Sequence, residues 1–263
     1  MTRTNKKIAV VCSGWHFCFG FYSRFQTQKI PKGWSLELFC VSHRDPEYAI
    51  KEKANDVFDD SYRGKLDKIL YKKVLNREEI EAYGWKYKEY PNTIGDWGNS
   101  NQWLEENDYN DYSLLLFTHD DNLIIQDSLF FDIIKDGNFK KWDILTNSPG
   151  MPMNWIRGSF EFFKPSVIKR LGGAFDLSEV SLTREGKFNA SNETTELLDW
   201  NNTVNPLMRF IEKEKLSIGY LSPAYRVSAY VLEGERGYIS KTHGANTVYE
   251  EKGLKYLRDN KII

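Results

Sequence analysis

Two adjacent carboxylates, Asp120 and Asp121, stand at the end of an apolar run in this chain of 263 residues. The run, residues 114–117, consists of three leucines and a phenylalanine with polar residues on both sides, which is typical of a buried central strand. Ligands of open α/β sheets bind beyond the carboxyl ends of the strands, so His119, Asp120 and Asp121 are predicted to lie at a binding site. Carboxylates there can hold a hard divalent cation, which neutralises a phosphate. From these residues alone, a polar turn that caps a helix is the alternative.

The first two predicted strands also end in residues that suit a binding site. Residues 7–12 form a buried strand and residues 36–41 a second one. The residues that follow these strands are Ser13, Gly14 and Trp15 in the first case and His43, Arg44 and Asp45 in the second. Gly14 permits a tight turn or a close approach of the backbone to a ligand. Asp45 precedes Pro46 and is also a good helix N-cap, so a ligand contact and a cap both stay open for it.

Strands alternate with helices along the rest of the chain, which predicts an α/β fold with a mostly parallel, mixed central sheet flanked by helices. Further strands are predicted at residues 85–90, 143–146, 158–163 and 217–221, and helices at residues 46–54, 55–84, 166–171 and 200–211. Asn76 and Glu79 form an approximate capping box, and Asp127 is predicted to cap a helix that follows it. Because no repeat or low-complexity linker is present, we expect residues 1–263 to form a single domain.

Composition excludes several classes of function. The net charge is −1 without a strongly basic block, which argues against a nucleic-acid partner. No apolar run approaches the roughly 20 residues that span a bilayer, so no transmembrane segment is expected. The 3 cysteines are an odd number without close ligand spacing, which predicts buried free thiols in a cytoplasmic protein. Aromatic residues make up 15% of the chain, and they either pack in an aromatic core or stack on sugar or base rings.

The order of several short motifs resembles that of GT-A fold glycosyltransferases, close to the large inverting family-2 type. The motifs are Asn92-Thr93-Ile94-Gly95, then Asn99 or Asn101, the strand that ends at Asp121, the unit from Gly158 to Lys164, Gly172-Gly173-Ala174-Phe175-Asp176, and a helix that contains Arg209. Each motif is short, but their order covers about residues 7–225. The resemblance implies a Rossmann-like nucleotide-diphospho-sugar transferase fold. It divides the chain into a nucleotide-binding half (7–122), an acceptor half (123–225) and a tail (226–263).

The resemblance also implies a reaction and its cofactor. Such enzymes move a sugar from a nucleotide-diphosphate donor to an acceptor hydroxyl, here of a glycan or glycan precursor, and Mn²⁺ or Mg²⁺ offsets the charge of the leaving diphosphate. Asp121 is then the metal ligand, and Asp120 contacts the donor sugar, the ribose or the metal. His243 is the candidate third ligand, with an exposed loop histidine as the alternative. His119 either bonds the nucleotide or packs.

The remaining site residues follow from the same resemblance. The donor side comprises Ser13, Gly14, Trp15, His43, Arg44, Asp45, Asn92, Gly95, Asn99, His119 and Asp120, and the acceptor side Trp155, Arg157 and Gly158. Trp155 either stacks on a sugar or packs in the core. Arg44 pairs with a phosphate or with a surface carboxylate.

The catalytic base is where this chain departs from the family. Inverting members carry a Glu-Asp pair about two turns before the arginine of the helix, and here that place holds Asn202 and Thr203, which cannot deprotonate a hydroxyl. Among the acids nearby, Asp199 is the first candidate and Glu196 the second. The departure leaves open a retaining mechanism or a non-catalytic carbohydrate-binding protein. A sugar-phosphate nucleotidyltransferase is a further alternative, but the glycine-rich loop and lysine expected after its first strand are missing.

Overall fold

The computed structural model describes residues 6–53, 68, 72–91, 95–120, 122–124, 127–135, 137–146, 160–177, 207–221 and 226–228. Its strands are β1 (Lys6–Ser13), β2 (Trp34–Ser42), β3 (Trp85–Glu89), β4 (Leu114–His119), β5 (Asn122–Ile124), β6 (Ile144–Thr146), β7 (Phe160–Phe163), β8 (Ile218–Tyr220) and β9 (Arg226–Ser228). Seven of them form one sheet in the order β3-β2-β1-β4-β7-β6-β8, and β5 pairs with β9 in a small second sheet.

The large sheet is mostly parallel, as the alternation of strands and helices predicts. β1 runs parallel to β2 and to β4, β2 to β3, and β6 to β8. β7 differs because it pairs antiparallel with both of its neighbours, β4 and β6. The sheet is therefore mixed in its second half, and the predicted fold class is confirmed.

The helices flank this sheet, and their ends follow from local sequence. They are α1 (Phe19–Tyr22), α2 (Pro46–Lys53), α3 (Arg77–Ala82), α4 (Gly95–Glu106), α5 (Leu129–Lys135), α6 (Asn138–Lys141), α7 (Pro165–Arg170) and α8 (Leu207–Glu214). The predicted capping box is present at the start of α3, where the side chain of Asn76 accepts from the N–H of Glu79 and the Glu79 carboxylate accepts from the N–H of Asn76. Beyond the end of α7, Gly172 and Gly173 adopt φ values of 80° and 92°, which favour glycine.

Apolar side chains cover both faces of the sheet, which explains why its central strands consist of continuous apolar runs. Successive residues of a strand point to opposite faces, so Val10 packs in one layer with Phe130, and Val11 packs in the other with Trp103 and Phe117. These side chains are almost completely buried. With both faces covered, a ligand has access to the sheet chiefly at its edges, where the strands end.

The three cysteines are buried free thiols, as predicted, and Cys12 lies opposite Cys40 in the register of β1 and β2. The cytoplasmic location inferred from them stays a prediction. Among the described residues, no helix combines the length and apolar character that crossing a membrane requires.

One cap prediction is wrong. Asp127 does not cap α5; its carboxylate instead binds Arg24, at 2.8 Å, and the hydroxyl of Thr27, at 2.9 Å. α5 begins at Leu129, and the preceding Ser128 hydroxyl donates to Asp132. The contacts with Arg24 and Thr27 join segments about one hundred residues apart, so local sequence could not show them. Most of residues 55–76, the first part of the helical stretch predicted at 55–84, and the start of the helix predicted at 200–211 lie outside the described residues. The single domain over residues 1–263 stays a prediction.

Candidate functional site

The carboxyl ends of three parallel strands meet at one edge of the sheet. In the strand register, Ser13 at the end of β1 lies between Val41 of β2 and His119 of β4. The segments that follow these strands are therefore neighbours, which brings together the residues that the sequence predicted at the strand ends. Ser13 is buried, and His119 is half-buried at the rim.

The carboxylate of Asp120 is the centre of this edge. Asp120 is fully buried, and its Oδ2 accepts the backbone N–H groups of Trp15, His16 and Phe17 at 3.1, 3.0 and 2.5 Å. Its Oδ1 also accepts the N–H of His16, at 3.1 Å. Consecutive N–H groups that converge on an anion form a concave nest, and the left-handed φ of 52° at Phe17 contributes to it. Asp120 thus binds the segment that follows β1.

A buried hydroxyl completes the surroundings of this carboxylate. The Tyr22 hydroxyl donates to Oδ2 of Asp120 at 3.1 Å and lies 3.2 Å from Sγ of Cys40. Burial raises the pKa of Tyr22 well above its ordinary value, and the negative charge of Asp120 raises this pKa further. The hydroxyl therefore keeps its proton and remains a donor to Asp120. Tyr22 was not identified from the sequence, because nothing local marks an aromatic residue of α1 as a partner of the acid that follows β4.

Gly14 fits where no other residue would. A Cβ at this position would lie 2.7 Å from the Phe17 ring and 3.0 Å from Sγ of Cys40. The Gly14 carbonyl accepts from the buried Ser42 hydroxyl at 2.5 Å, and the same hydroxyl accepts the N–H of Arg44 at 2.9 Å. Ser42 therefore ties the segment after β1 to the segment after β2, a function that the sequence did not indicate.

Arg44 is held by aromatic rings at this edge. Its guanidinium lies 4.4 Å from the centroid of the Trp15 ring and 4.9 Å from that of the Tyr48 ring, and Arg44 is 7% exposed. Such stacking places a positive charge directly against Trp15. The carboxylate of Asp45 accepts the N–H of Glu47 at 2.9 Å, which is the capping role considered for it.

His43 is oriented by Asn99 of α4. The Asn99 amide Nδ2 lies 3.1 Å from Nδ1 of His43, and Asn99 is 1% exposed. With the amide as donor, Nδ1 is the acceptor, so the neutral imidazole carries its proton on Nε2. The His43 ring also lies 5.4 Å from the Trp15 ring. The two half-buried rings, Trp15 and His43, thus stand side by side at the carboxyl edge.

The second asparagine of α4 holds the segment after α7. Asn101 donates to the carbonyl of Phe175 at 2.9 Å and accepts its N–H at 2.8 Å. The Phe175 ring packs 4.7 Å from Trp97 and 5.3 Å from Phe117. Asn99 and Asn101, the two alternatives of the sequence motif, therefore make different contacts. Asn99 contacts His43 on the predicted donor side, and Asn101 binds the backbone of the motif from Gly172 to Asp176.

The other predicted site residues are distributed as follows. Gly95 is the first residue of α4. Asn92, Asp121, Trp155, Arg157, Gly158, Glu196, Asp199 and His243 lie outside the described residues, so their roles stay predictions. Within the described ranges, no three His, Cys, Asp or Glu side chains are grouped so that they could hold a metal ion.

Comparison with solved structures finds a similar fold. A mannosyltransferase from Pyrobaculum calidifontis, in complex with GDP-Man and Mn²⁺, matches with a TM-score of 0.51 at 12% identity over 86% of this chain. This chain has a GT-A-like fold. At this identity the match concerns the fold.

Other matches are weaker. TarS of S. aureus, residues 1–349 with UDP, has a TM-score of 0.49 at 15% identity over 84% of this chain. A cytidylyltransferase from Leptospira borgpetersenii has a TM-score of 0.43 at 12% identity, over 97% of this chain and 95% of its own. The chain spans little more than half of the first two structures, 56% and 59% of their lengths. No protein-family model matches the sequence, and no curated protein does.

Proposed function

We propose that this protein is a glycosyltransferase that transfers a sugar from a nucleotide-diphosphate sugar to an acceptor hydroxyl. One observation carries the proposal: the segment after β1 is bound both to the segment after β2 and to the acid after β4, at the carboxyl edge of a GT-A-like sheet. That edge is where open α/β sheets bind ligands. The mannosyltransferase with the similar fold was solved with a donor of this chemical class.

The donor nucleotide binds against the segments that follow β1 and β2. Trp15 and His43 are half-buried and adjacent, so they offer ring surface and an imidazole N–H to a base or ribose. Arg44 supplies positive charge next to Trp15, which favours an anionic ligand at this edge. Asn99 supports His43 from α4, and that helix begins at Gly95.

A divalent cation, Mn²⁺ or Mg²⁺, belongs to this proposal. The described residues do not by themselves fit a metal ion, because the Asp120 oxygens accept from protein donors and no group of ligands surrounds them. The metal therefore depends on Asp121, with His243 as the proposed further ligand. A bound cation would offset the charge on the leaving diphosphate.

The acceptor side and the base are proposed from sequence. Trp155, Arg157 and Gly158 shape the acceptor site, and Asp199, or Glu196 in its place, removes the proton of the acceptor hydroxyl in an inverting reaction. A retaining reaction would need no such base, so replacing Asp199 and Glu196 together by Asn and Gln separates the two outcomes. Loss of transfer with donor binding preserved favours inversion, and undiminished transfer excludes both acids as the base.

The test of the function is a thermal-shift panel of UDP, GDP and dTDP and their sugar conjugates, with and without Mn²⁺. A ligand at 100 times its dissociation constant stabilises the folded state by about 2.7 kcal/mol. For a chain of this length that corresponds to a rise in Tm of roughly 5–11 °C. We expect one base to stabilise the protein in the presence of Mn²⁺, and the donor that does so to be hydrolysed or transferred.

Asp121→Asn should remove the metal-dependent part of this shift. Asp111→Asn is the matched control, because Asp111 is an exposed acid that precedes β4 at the opposite edge of the sheet. If none of the three nucleotides stabilises the protein with metal present, the proposed function is wrong. Glycan binding that is indifferent to metal and nucleotide would instead indicate a carbohydrate-binding protein.

A nucleotidyltransferase is disfavoured by the segment that follows β1. Enzymes that bind a triphosphate at a loop do so with free backbone N–H groups. Here the N–H groups of Trp15, His16 and Phe17 already bind the Asp120 carboxylate. Formation of a nucleotide sugar from a triphosphate and a sugar phosphate would instead show that the protein is a nucleotidyltransferase.

A further inference from the structure

We propose that Asp120 is a positioning residue and not a metal ligand: its carboxylate is the internal anion that shapes the segment from Gly14 to Phe17. In this proposal the two adjacent acids have different roles. Asp120 binds the backbone of the protein itself, and Asp121 is the proposed metal ligand. The part of this proposal that concerns donor binding rests on the proposed function. The part that concerns the segment after β1 does not.

The first argument is the number of donors around Asp120. Its Oδ2 accepts three backbone N–H groups and the hydroxyl of Tyr22, and its Oδ1 accepts the N–H of His16. Each carboxylate oxygen offers about two lone-pair sites, and Oδ2 contacts four donors, so Oδ2 has no capacity left for a cation. The hydrogen atoms of these donors carry partial positive charge, so they also repel a cation that approaches from their side.

The second argument is what the donors would do without the carboxylate. Backbone N–H groups that are buried must find acceptors. The N–H groups of Trp15, His16 and Phe17 converge on one point, and Phe17 holds a left-handed φ of 52° that a bulky residue rarely adopts. This conformation persists only when its surroundings impose it. The surrounding group that binds all three N–H groups is the Asp120 carboxylate.

The third argument links the carboxylate to the proposed donor site. The segment that Asp120 holds includes Trp15, whose ring contacts the rings and charges of the segment after β2. The carbonyl of Gly14 is bound by the hydroxyl of Ser42. Asp120 therefore sets the position of Trp15, and through Ser42 and Arg44 it stabilises both segments that the nucleotide would contact.

The experiment compares Asp120→Asn with Asp121→Asn by hydrogen exchange and by Mn²⁺ titration. Asn keeps the shape of Asp120 but removes the charge. Loss of charged hydrogen bonds weakens protection by an order of magnitude or more, so we expect the amides of residues 15–17 to exchange at least about tenfold faster in Asp120→Asn. In Asp121→Asn they should exchange as in the unchanged protein. Peptides from α3 serve as an internal reference and should not change in either variant.

Mn²⁺ titration followed by electron paramagnetic resonance, with nucleoside diphosphate present, separates positioning from ligation. Asp120→Asn should lower nucleotide affinity by a similar factor with and without Mn²⁺, while the protein–nucleotide complex still binds the metal. Asp121→Asn should lower only the part of the nucleotide affinity that depends on Mn²⁺. If Asp120→Asn leaves the exchange of residues 15–17 unchanged and abolishes Mn²⁺ binding, Asp120 is a ligand and the proposal is overturned.

Tyr22→Phe keeps the proposal testable if Asp120→Asn fails to fold. It removes one donor to the carboxylate and leaves the negative charge. The rate of hydrogen exchange at residues 15–17 should therefore rise by a smaller factor than in Asp120→Asn, and Mn²⁺ binding should be unchanged. Unchanged exchange in this variant would contradict the proposal. If the unchanged protein binds no nucleotide, the proposed function fails, yet the exchange data still decide whether Asp120 holds the segment after β1.

Discussion

Gly14→Ala tests the close packing beneath the candidate site. The added Cβ would lie 2.7 Å from the Phe17 ring, 3.0 Å from Sγ of Cys40 and 3.1 Å from the Tyr22 hydroxyl. All three neighbours are fully buried, so they cannot move aside into solvent. Overpacking of this kind destabilises by about 1–3 kcal/mol. Replacing glycine by alanine also restricts the unfolded chain, which offsets about 0.4–1 kcal/mol.

We expect the contacts to outweigh the offset and the free energy of unfolding of Gly14→Ala to fall by about 1.3 kcal/mol. At roughly 2–4 °C per kcal/mol for a chain of this size, Tm should fall by about 3–5 °C. Chemical denaturation and calorimetry measure the two quantities. Because Gly14 belongs to the proposed donor site, nucleotide affinity should fall as well.

A double-mutant cycle identifies the cause of the loss. Phe17→Leu removes the ring atom nearest to the added Cβ, so Gly14→Ala and Phe17→Leu together should destabilise by at least about 0.5 kcal/mol less than the sum of the single changes. Gly33→Ala is the control, since nothing lies within 4 Å of its Cβ and its φ of +84° penalises alanine through the backbone alone. Its effect should add to that of Phe17→Leu. Additive behaviour at Gly14 would refute the packing argument.

Three further changes have expected outcomes. Ser42→Ala removes the buried bridge between the segments after β1 and β2, and should lower the free energy of unfolding in denaturant titrations by about 1–3 kcal/mol. Asn101→Ala breaks both bonds to the Phe175 backbone and should cost about 2 kcal/mol; a loss below about 0.5 kcal/mol would contradict the contact. The hydrogen bond from Lys7 lowers the pKa of Glu37, so its stabilisation is present above the ordinary carboxyl pKa and is lost as pH falls through the lowered value. Glu37→Gln should therefore weaken the loss of stability with acid, as Tm measured from pH 6 to pH 3 would show.

Local features of the sequence predicted the structure well because their causes are local. The capping box of Asn76 and Glu79 needs only four consecutive residues, and both of its hydrogen bonds are present. The apolar run that ends before His119 became β4, whose residues are almost all buried. Parallel pairing then brings the ends of β1, β2 and β4 to one edge, so the place of the candidate site followed from the order of the strands.

Features that depend on distant partners were not predictable from the same patterns. The antiparallel direction of β7 depends on how the chain returns to β4, and the pairing of β5 with β9 joins residues 122–124 to residues 226–228. The partners of Asp120 lie about one hundred residues earlier in the sequence. A sequence motif shows which residues are charged but not toward which side they turn, so the motif alone could not show that the Asp120 carboxylate accepts backbone N–H groups.

The direction in which Asp120 turns has a consequence for how the edge binds a ligand. A segment shaped by its own carboxylate needs no phosphate to fold, so under the proposed function its conformation exists before a nucleotide binds. Ordering a loop upon binding opposes affinity, and a segment fixed in advance avoids that penalty. Ser42 and Asn99 extend the same principle to the neighbouring segment, since each binds a group that stands next to Trp15. We therefore expect the amides of residues 15–17 to be protected from hydrogen exchange without any nucleotide and to change little when one binds. A large increase in protection upon nucleotide binding would show that the ligand, and not Asp120, orders this edge.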